Sequence, residues 1–201
     1  MNEKLLKEQE LWLGKFKIEV LPPYEVMIND EARAQLTEIV QPHFNVFEYG
    51  SGKSTIWFAE NCNSIVSVER NIGWYEAVWL KLYQMDLTAY LILRPFVDKE
   101  RLATPKTIGV ATIINAFPNE YFDLVFVDGA ARPHCNRWAR AKVKRGGWMV
   151  IDDLQFPYVK KSLHWMDDAG FTFEGKYCGI VHGAINGRPR INTTGFWRKM
   201  T

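Results

Sequence analysis

The 201-residue chain is poor in cysteine, in net charge and in long apolar runs. It has three cysteines, Cys62, Cys135 and Cys178. Their number is odd and no two stand at metal-ligand spacing, which argues against a disulfide framework and a zinc site. A reducing compartment is the better fit, so the cytoplasm is the expected location. The net charge is +2, from 25 basic and 23 acidic residues. So even a balance leaves no electrostatic footprint for nucleic acid. The most basic stretch, RWARAKVKR over 137–145, reads as a solvated helix face. No apolar run is long enough to cross a bilayer. The opening MNEKLLKEQELWLGKFKIEV carries charges throughout and lacks the apolar segment of a signal peptide. Repeats and low-complexity segments are missing too. What remains, at 47% hydrophobic residues, is enough for one well-filled domain and too little for two.

The apolar residues are distributed as short runs alternating with helical spacing. A polar helix is expected over 1–20, then a break at Leu21-Pro22-Pro23. Asn29-Asp30 cap a helix over 31–40 that stops before Pro42. FNVFEY, SIVSVE, AYLILRPF, YFDLVFVDG and WMVIDD read as buried strands. Helices are expected from Ser54, through Trp74, Val78 and Leu82, over 108–117, over 134–143 and over 159–169, with a loop over 97–107 and a turn at Arg145-Gly146-Gly147. FTFEGK and TTGFWRKM read as strands, joined across a hairpin signal at Asn186-Gly187. Strands alternating with helices mean a mostly parallel sheet covered on both faces, here with an antiparallel edge. Ligands of such sheets sit beyond the carboxyl ends of the strands. Those ends carry Glu48-Tyr49-Gly50, Glu69, Asp128-Gly129 and Asp152-Asp153.

EYGSGKST, residues 48–55, looks at first like an ATP-binding P-loop. A P-loop needs a glycine five residues before Gly52, and Phe47 stands there. Glu48 would also repel a triphosphate. A dinucleotide fingerprint fits Gly50 and Gly52 but finds Thr55 in its third place. An acid, Glu69, follows 19 positions after Gly50, where a bound ribose would meet it. A nucleoside ligand without pyrophosphate answers this pattern, and S-adenosylmethionine is one. Its ribose hydroxyls can donate to Glu69. Its carboxylate suits the helix start at Ser54 and Thr55, and its cationic groups suit Glu48. Gly50 and Gly52 would let the backbone approach it, because a Cβ there would meet the ligand.

VFEYGSGKSTIWFAE, IVSVERNIGWYEAV, YFDLVFVDGAARPHC, KRGGWMVIDD and TTGFWRK, in this order over about residues 44–198, resemble class I S-adenosylmethionine-dependent methyltransferases. The likeness is to the branch with a Glu-Tyr-Gly-Ser-Gly-x-Ser-Thr first motif. The resemblance implies a Rossmann-like, doubly wound α/β fold: seven strands, mostly parallel with an antiparallel last strand, and helices on both faces. It implies one methyltransferase domain over 1–201, with a core over 44–201. Residues 1–43 would form a helical cover over the pocket or a homodimer contact. The cofactor residues it implies are Glu48, Tyr49, Gly50, Ser51, Gly52, Ser54, Thr55 and Glu69, with Asp128 at the methyl-donor end. The family's usual adenine-holding acid is not clear after the third strand, where Asp98 is a candidate.

For the chemistry, Asp128 and His134 are the candidate bases, since a hydroxyl acceptor must lose a proton. Arg132 could grip an anionic acceptor or hold its loop through a nearby acid. Asp152 and Asp153 are substrate-binding candidates. Together with Asp128 they resemble the divalent-cation ligands of catechol-type O-methyltransferases, although an aspartate replaces that family's asparagine and no metal is expected. The expected acceptor is an O or N atom of a small molecule, hydroxylated or sugar-like, with no nucleic acid and no membrane as partner. VDGA after the fourth strand is not the Asn/Asp-Pro-Pro-aromatic pattern of base N-methylation. The alternatives are a non-catalytic domain of this fold and a P-loop-like NTPase.

Overall fold

The computed structural model describes residues 20, 23–94, 109–181 and 189–201. The helix expected over 1–20, the loop over 97–107 with Asp98, and the Asn186-Gly187 turn lie outside them. The element order is α1 (Asp30–Ile39), β1 (Asn45–Tyr49), α2 (Lys53–Asn61), β2 (Ser64–Glu69), α3 (Ile72–Gln84), β3 (Tyr90–Leu93), a 3-10 helix (Thr112–Ala116), β4 (Phe122–Val127), α4 (Arg132–Ala139), β5 (Val143–Ile151), α5 (Pro157–Lys160), α6 (His164–Asp167), β6 (Phe171–Val181) and β7 (Arg190–Lys199).

Seven strands form one sheet in the order β3-β2-β1-β4-β5-β7-β6. Five of them, β1 to β5, pair in parallel, and β7 runs antiparallel between β5 and β6. This is the expected Rossmann-like sheet with its last strand reversed. The strands are apolar on both faces, as parallel strands must be when helices cover each side. Phe47 and Val125 pack with Ile114, Cys135 and Val159 on one face. Val46 and Phe126 pack with Ala32, Leu36 and Phe58 on the other. A smaller cluster joins Ile56 to Ala77, Val78, Leu82 and Val20. α1 therefore lies in the core of the sheet's second face. It starts where expected, with the Asn29 side chain accepting from Ala32 N at 3.0 Å.

The observed elements depart from the expected ones at three places. Arg145-Gly146-Gly147 is not a turn but part of β5, at an irregularity where Phe122 and Leu124 face Val143 and Trp148. Gly146 has φ +75°, and a Cβ on Gly147 would stand 2.8 Å from Asp123 O, so the glycines serve a bulge. The helix expected over 159–169 is two short helices. Ser162 Oγ donates to Val159 O at 2.7 Å, a local bond that competes with a regular helical ladder. Strand β6 runs past its expected end at Lys176 to Val181, because β7 pairs with it along its length. No helix of the described residues is long and apolar enough to cross a membrane.

Candidate functional site

The carboxyl ends of β1, β2, β4 and β5 converge on one edge of the sheet, and two polar centres stand there. The first is built on the loop after β1. Gly50 N donates to Val68 O at 2.9 Å, and Asp128 N donates to Tyr49 O at 3.1 Å. The loop is thus held between β2 and β4. Gly50 has φ +97°, and a Cβ on it would lie 2.8 Å from Gly129 Cα. A Cβ on Gly129 would in turn lie 2.8 Å from the Tyr49 carbonyl carbon. These two glycines are needed because two loops cross in contact. That corrects the expectation for Gly50, whose missing side chain makes room for the chain itself. Gly52 differs, since a Cβ there would meet nothing within 4 Å.

Glu48 is fully buried under this loop. Its carboxylate accepts from Ser54 Oγ, from Thr55 Oγ1 at 2.5 Å and from Ser67 Oγ at 2.6 Å. Ser51 Oγ lies 2.7 Å from Ser67 Oγ. Ser67 has one proton, committed to Glu48, so Ser51 is the donor of that pair. Thr55 Oγ1 also accepts from Gly52 N at 2.9 Å. Burial pushes the Glu48 carboxyl up to about 7, against the pull of its three hydroxyl partners. Glu69, nearly as buried, accepts from the backbone N–H groups of Ser51 at 2.9 Å, Arg70 at 2.8 Å and Asn71 at 2.7 Å. Burial raises it and those N–H groups pull it back. Ser51 is therefore fastened to both acids. The Tyr49 ring turns into the core, with its hydroxyl donating to Ala111 O at 2.8 Å.

The second centre follows β4 and β5. Asp128, Asp152 and Asp153 bring carboxylate oxygens within 4.8 Å of one another. Arg132 Nη2 lies 2.7 Å from Asp128 Oδ1 and 2.7 Å from Asp153 Oδ2, and it donates to Asp128 O at 2.8 Å. Of the two roles open to Arg132, holding its loop through nearby acids is the one seen. Residues Ala131 and Asp153, on either side of this pair, have φ of +59° and +62°, left-handed values that bulky residues avoid. Asp152 is fully buried and accepts from Thr194 Oγ1 at 2.6 Å and Asn192 Nδ2 at 2.9 Å. Asn192 Nδ2 also reaches Asp153 Oδ1 at 3.2 Å, and Asn29 Nδ2 donates to Asn192 Oδ1 at 3.3 Å. Arg190 Nη1 stands 3.4 Å from Asp153 Oδ1. Burial raises Asp152 well above the ordinary carboxylate range, and the neighbouring Asp128 and Asp153 add to it. Asp128 is raised by burial too, while Arg132 opposes that rise.

This donor set does not fit a divalent cation. The guanidinium of Arg132 already bridges Asp128 and Asp153, and both Asp152 oxygens accept from neutral donors. A cation would be placed against a fixed positive charge. S-adenosylmethionine meets a better match at the first centre. Gly52 borders open space, Glu69 Oε2 accepts from the Ser51 N–H, and Lys53 opens a nine-residue helix with Ser54 second.

The loop residues named from the sequence and the three aspartates stand at this one edge of the sheet. Sequence reasoning missed Ser67, Asn192 and Thr194. The last two stand two positions apart in β7 and are both buried, which places them on one face of the strand. His134 lies half-buried in the first turn of α4, outside the hydrogen-bonded cluster.

No family model matches the sequence, and no curated protein matches it. Solved structures do. A precorrin-8w decarboxylase of Methanobacterium thermoautotrophicum superposes with a TM-score of 0.62 at 14% identity, over 90% of this chain and 96% of that one. An rRNA methylase of Streptococcus thermophilus gives 0.60 at 16%, over 88% and 100%. A SAM-dependent methyltransferase of Methanosarcina mazei gives 0.57 at 10%, over 83% and 97%. What these likenesses establish is the fold, and it is the Rossmann-like fold of methyltransferases.

Proposed function

We propose that the protein is an S-adenosylmethionine-dependent methyltransferase acting on an O or N atom of a small molecule. One observation carries the reading: the Gly50–Gly52 loop is tied through Ser51 to Glu69 and abuts the Asp128 loop at Gly129. The Glu48–Glu69 centre and the aspartate centre are thereby side by side, which supports a nucleoside site next to a reaction centre. When bound, the cofactor supplies an electrophilic methyl group. Glu69 accepts from ribose hydroxyls, and free backbone N–H groups at the start of α2 receive the carboxylate, the Ser54 and Thr55 hydroxyls being committed to Glu48. Gly52 lines the approach. Glu48, beneath the loop, acts through the hydroxyls it orders rather than by direct contact. Arg132 orients Asp128, whose side chain is about one-quarter exposed at the cluster's edge. Asp128 is the group placed to take the acceptor's proton, and His134 is the second candidate. Balanced surface charge and the lack of a base-N-methylation motif support a small acceptor.

Isothermal titration with S-adenosylmethionine and with S-adenosylhomocysteine tests the reading. Binding is expected, weakened about tenfold in Glu69→Gln because one charged acceptor is lost. Absence of binding to either ligand would remove it. A non-catalytic domain of this fold would bind yet give Asp128→Asn the same methyl-transfer background as the parent. A nucleotidase reading would require ATP-dependent thermal stabilisation that disappears in Lys53→Ala.

A further inference from the structure

We infer that Ser54 is a cofactor-binding hydroxyl that Glu48 releases only on taking up a proton, so that cofactor binding and proton uptake are one event. This rests on the methyltransferase reading above and adds a regulation of the same site.

The hydroxyl protons around Glu48 decide it. Glu48 is fully buried, and among the described residues no guanidinium or ammonium group bonds its carboxylate. Three hydroxyls each commit their single proton to it: Ser54 Oγ to Oε1, and Thr55 Oγ1 and Ser67 Oγ to Oε2. Two of these oxygens also accept. Thr55 Oγ1 takes the Gly52 N–H at 2.9 Å, and Ser67 Oγ takes the Ser51 hydroxyl at 2.7 Å. Ser54 Oγ accepts from no described residue.

A carboxylate that gains a proton becomes a donor at one oxygen and needs an acceptor there. Ser54 Oγ is the hydroxyl with its lone pairs open. A proton taken from water onto Glu48 Oε1 is therefore donated to Ser54 Oγ, and the Ser54 proton turns to another acceptor. Ser54 is the second residue of α2, beside Gly52, where a Cβ would meet nothing within 4 Å. The cofactor's carboxylate belongs on that open side in the reading above. It gains the Ser54 hydroxyl in addition to the free N–H groups of the helix start.

The ligand favours the same proton in return. A second carboxylate at the start of α2 repels the charge of Glu48 beneath it, so binding favours the protonated acid. Burial already holds Glu48 at about 7, which brings that proton within reach near neutrality. The other charged groups on this face are placed differently. Asp128, after β4, adds to the rise of Glu48. Glu69, after β2, is held by three backbone N–H groups with Arg70 beside it. Asp152, after β5, is tied to Thr194 and Asn192. On α2, Lys53 is half-buried and Glu60 exposed. On α1, Asp30, Glu31 and Glu38 are exposed, and Arg33 pairs with Glu25 and Asp30.

The test is calorimetric titration of the full chain with S-adenosylhomocysteine in buffers of different ionisation enthalpy. The dependence of the heat on the buffer gives the protons taken up per ligand bound. About half a proton or more is expected at about pH 8, and almost none at about pH 5.5, where Glu48 already holds one. Affinity should fall as pH rises above about 7, by up to about tenfold per unit. Glu48→Gln, whose amide is a permanent donor toward Ser54, should show no uptake and should bind at about pH 8 as the parent does at about pH 5.5. Ser54→Ala should weaken binding about threefold or more at about pH 5.5 and little at about pH 8. Lys53→Ala is the control and should keep the parent's uptake. Binding without proton uptake at any pH would overturn the proposal. So would uptake that persists unchanged in Glu48→Gln, or a Ser54→Ala loss equal at both ends of the range. Should Glu48→Gln fail to fold, the parent's uptake and Ser54→Ala decide the matter. Failure of S-adenosylhomocysteine to bind at every pH removes the methyltransferase reading, and this proposal with it.

Discussion

The two polar centres solve the same problem in different ways. Both bury carboxylates at strand ends. Around Glu48 and Glu69 the hydrogen-bond donors seen are three hydroxyls and three backbone N–H groups, with the Arg70 charge adding a weaker pull on Glu69. Around Asp128, Asp152 and Asp153 the partners include two guanidiniums, from Arg132 and Arg190. Neutral donors hold a carboxylate in place without a formal countercharge, and burial then lifts Glu48 to about 7, so its charge depends on pH. Guanidiniums cancel charge, and so permit three acids in one place. The first centre depends on hydrogen-bond geometry, the second on charge balance, and each should fail in its own way.

The largest effect is expected from Arg132→Met, which removes the bridge between Asp128 and Asp153. It should cost ~3–5 kcal/mol, as for breaking a buried ion pair, measured by urea denaturation at neutral pH. The deficit should shrink in acid, where the carboxyls take up protons. A deficit that stays constant with pH would assign Arg132 a packing role only. Next comes Gly50→Ala. The left-handed φ alone costs ~1–3 kcal/mol, and the contact with Gly129 adds to that. Gly52→Ala, with open space around it, should leave the melting temperature nearly unchanged and lower S-adenosylhomocysteine affinity instead. Equal stability losses in the two variants would end the distinction between chain crossing and ligand approach.

Glu48→Gln should cost ~1–2 kcal/mol, since the amide keeps one acceptor and faces hydroxyls that had two. Its pH signature is the sharper test. The folded carboxyl titrates near 7 and the unfolded one near 4.5, so the folded state binds the extra proton between them. That contribution is fully present below 4.5 and is lost as pH rises through about 7. The variant should lack this slope, read from denaturation midpoints across the window. The smallest effect is expected from Lys53→Ala, within ~0.5 kcal/mol, as for a surface change away from such features. It should not alter S-adenosylhomocysteine affinity in titration.

The same contrast explains what could be read from the chain. Glu48 meets Ser54 and Thr55 six and seven residues away, so EYGSGKST displays the loop and its anchors in one window. Strands β1, β2 and β4 are short, mostly apolar runs, and their limits are nearly those expected. The aspartates were visible as residues at strand ends. Their partners were not, because Asn29 reaches Asn192 across 163 positions and no local pattern joins them. β5 was clipped at Arg145-Gly146-Gly147 because glycine signals a turn and a bulge alike. The short helices of 157–167 followed from one hydroxyl, Ser162, whose competing bond has no signature in apolar spacing.

The placement of β7 between β5 and β6 has a consequence for the order of assembly. Asp152 and Asp153 leave the ribosome before Asn192 and Thr194, which follow 39–42 residues later. At ~5–20 residues per second that is an interval of ~2–8 s. Until β7 arrives, the sheet is open between β5 and β6, and Asp152 lacks both of its neutral donors. The contacts of the Glu48 carboxylate span at most 19 residues along the chain, so they can form early, before β4 brings Asp128 and Gly129 against the loop. A newborn chain would therefore complete the hydrogen bonds around Glu48 first and those around Asp152 last.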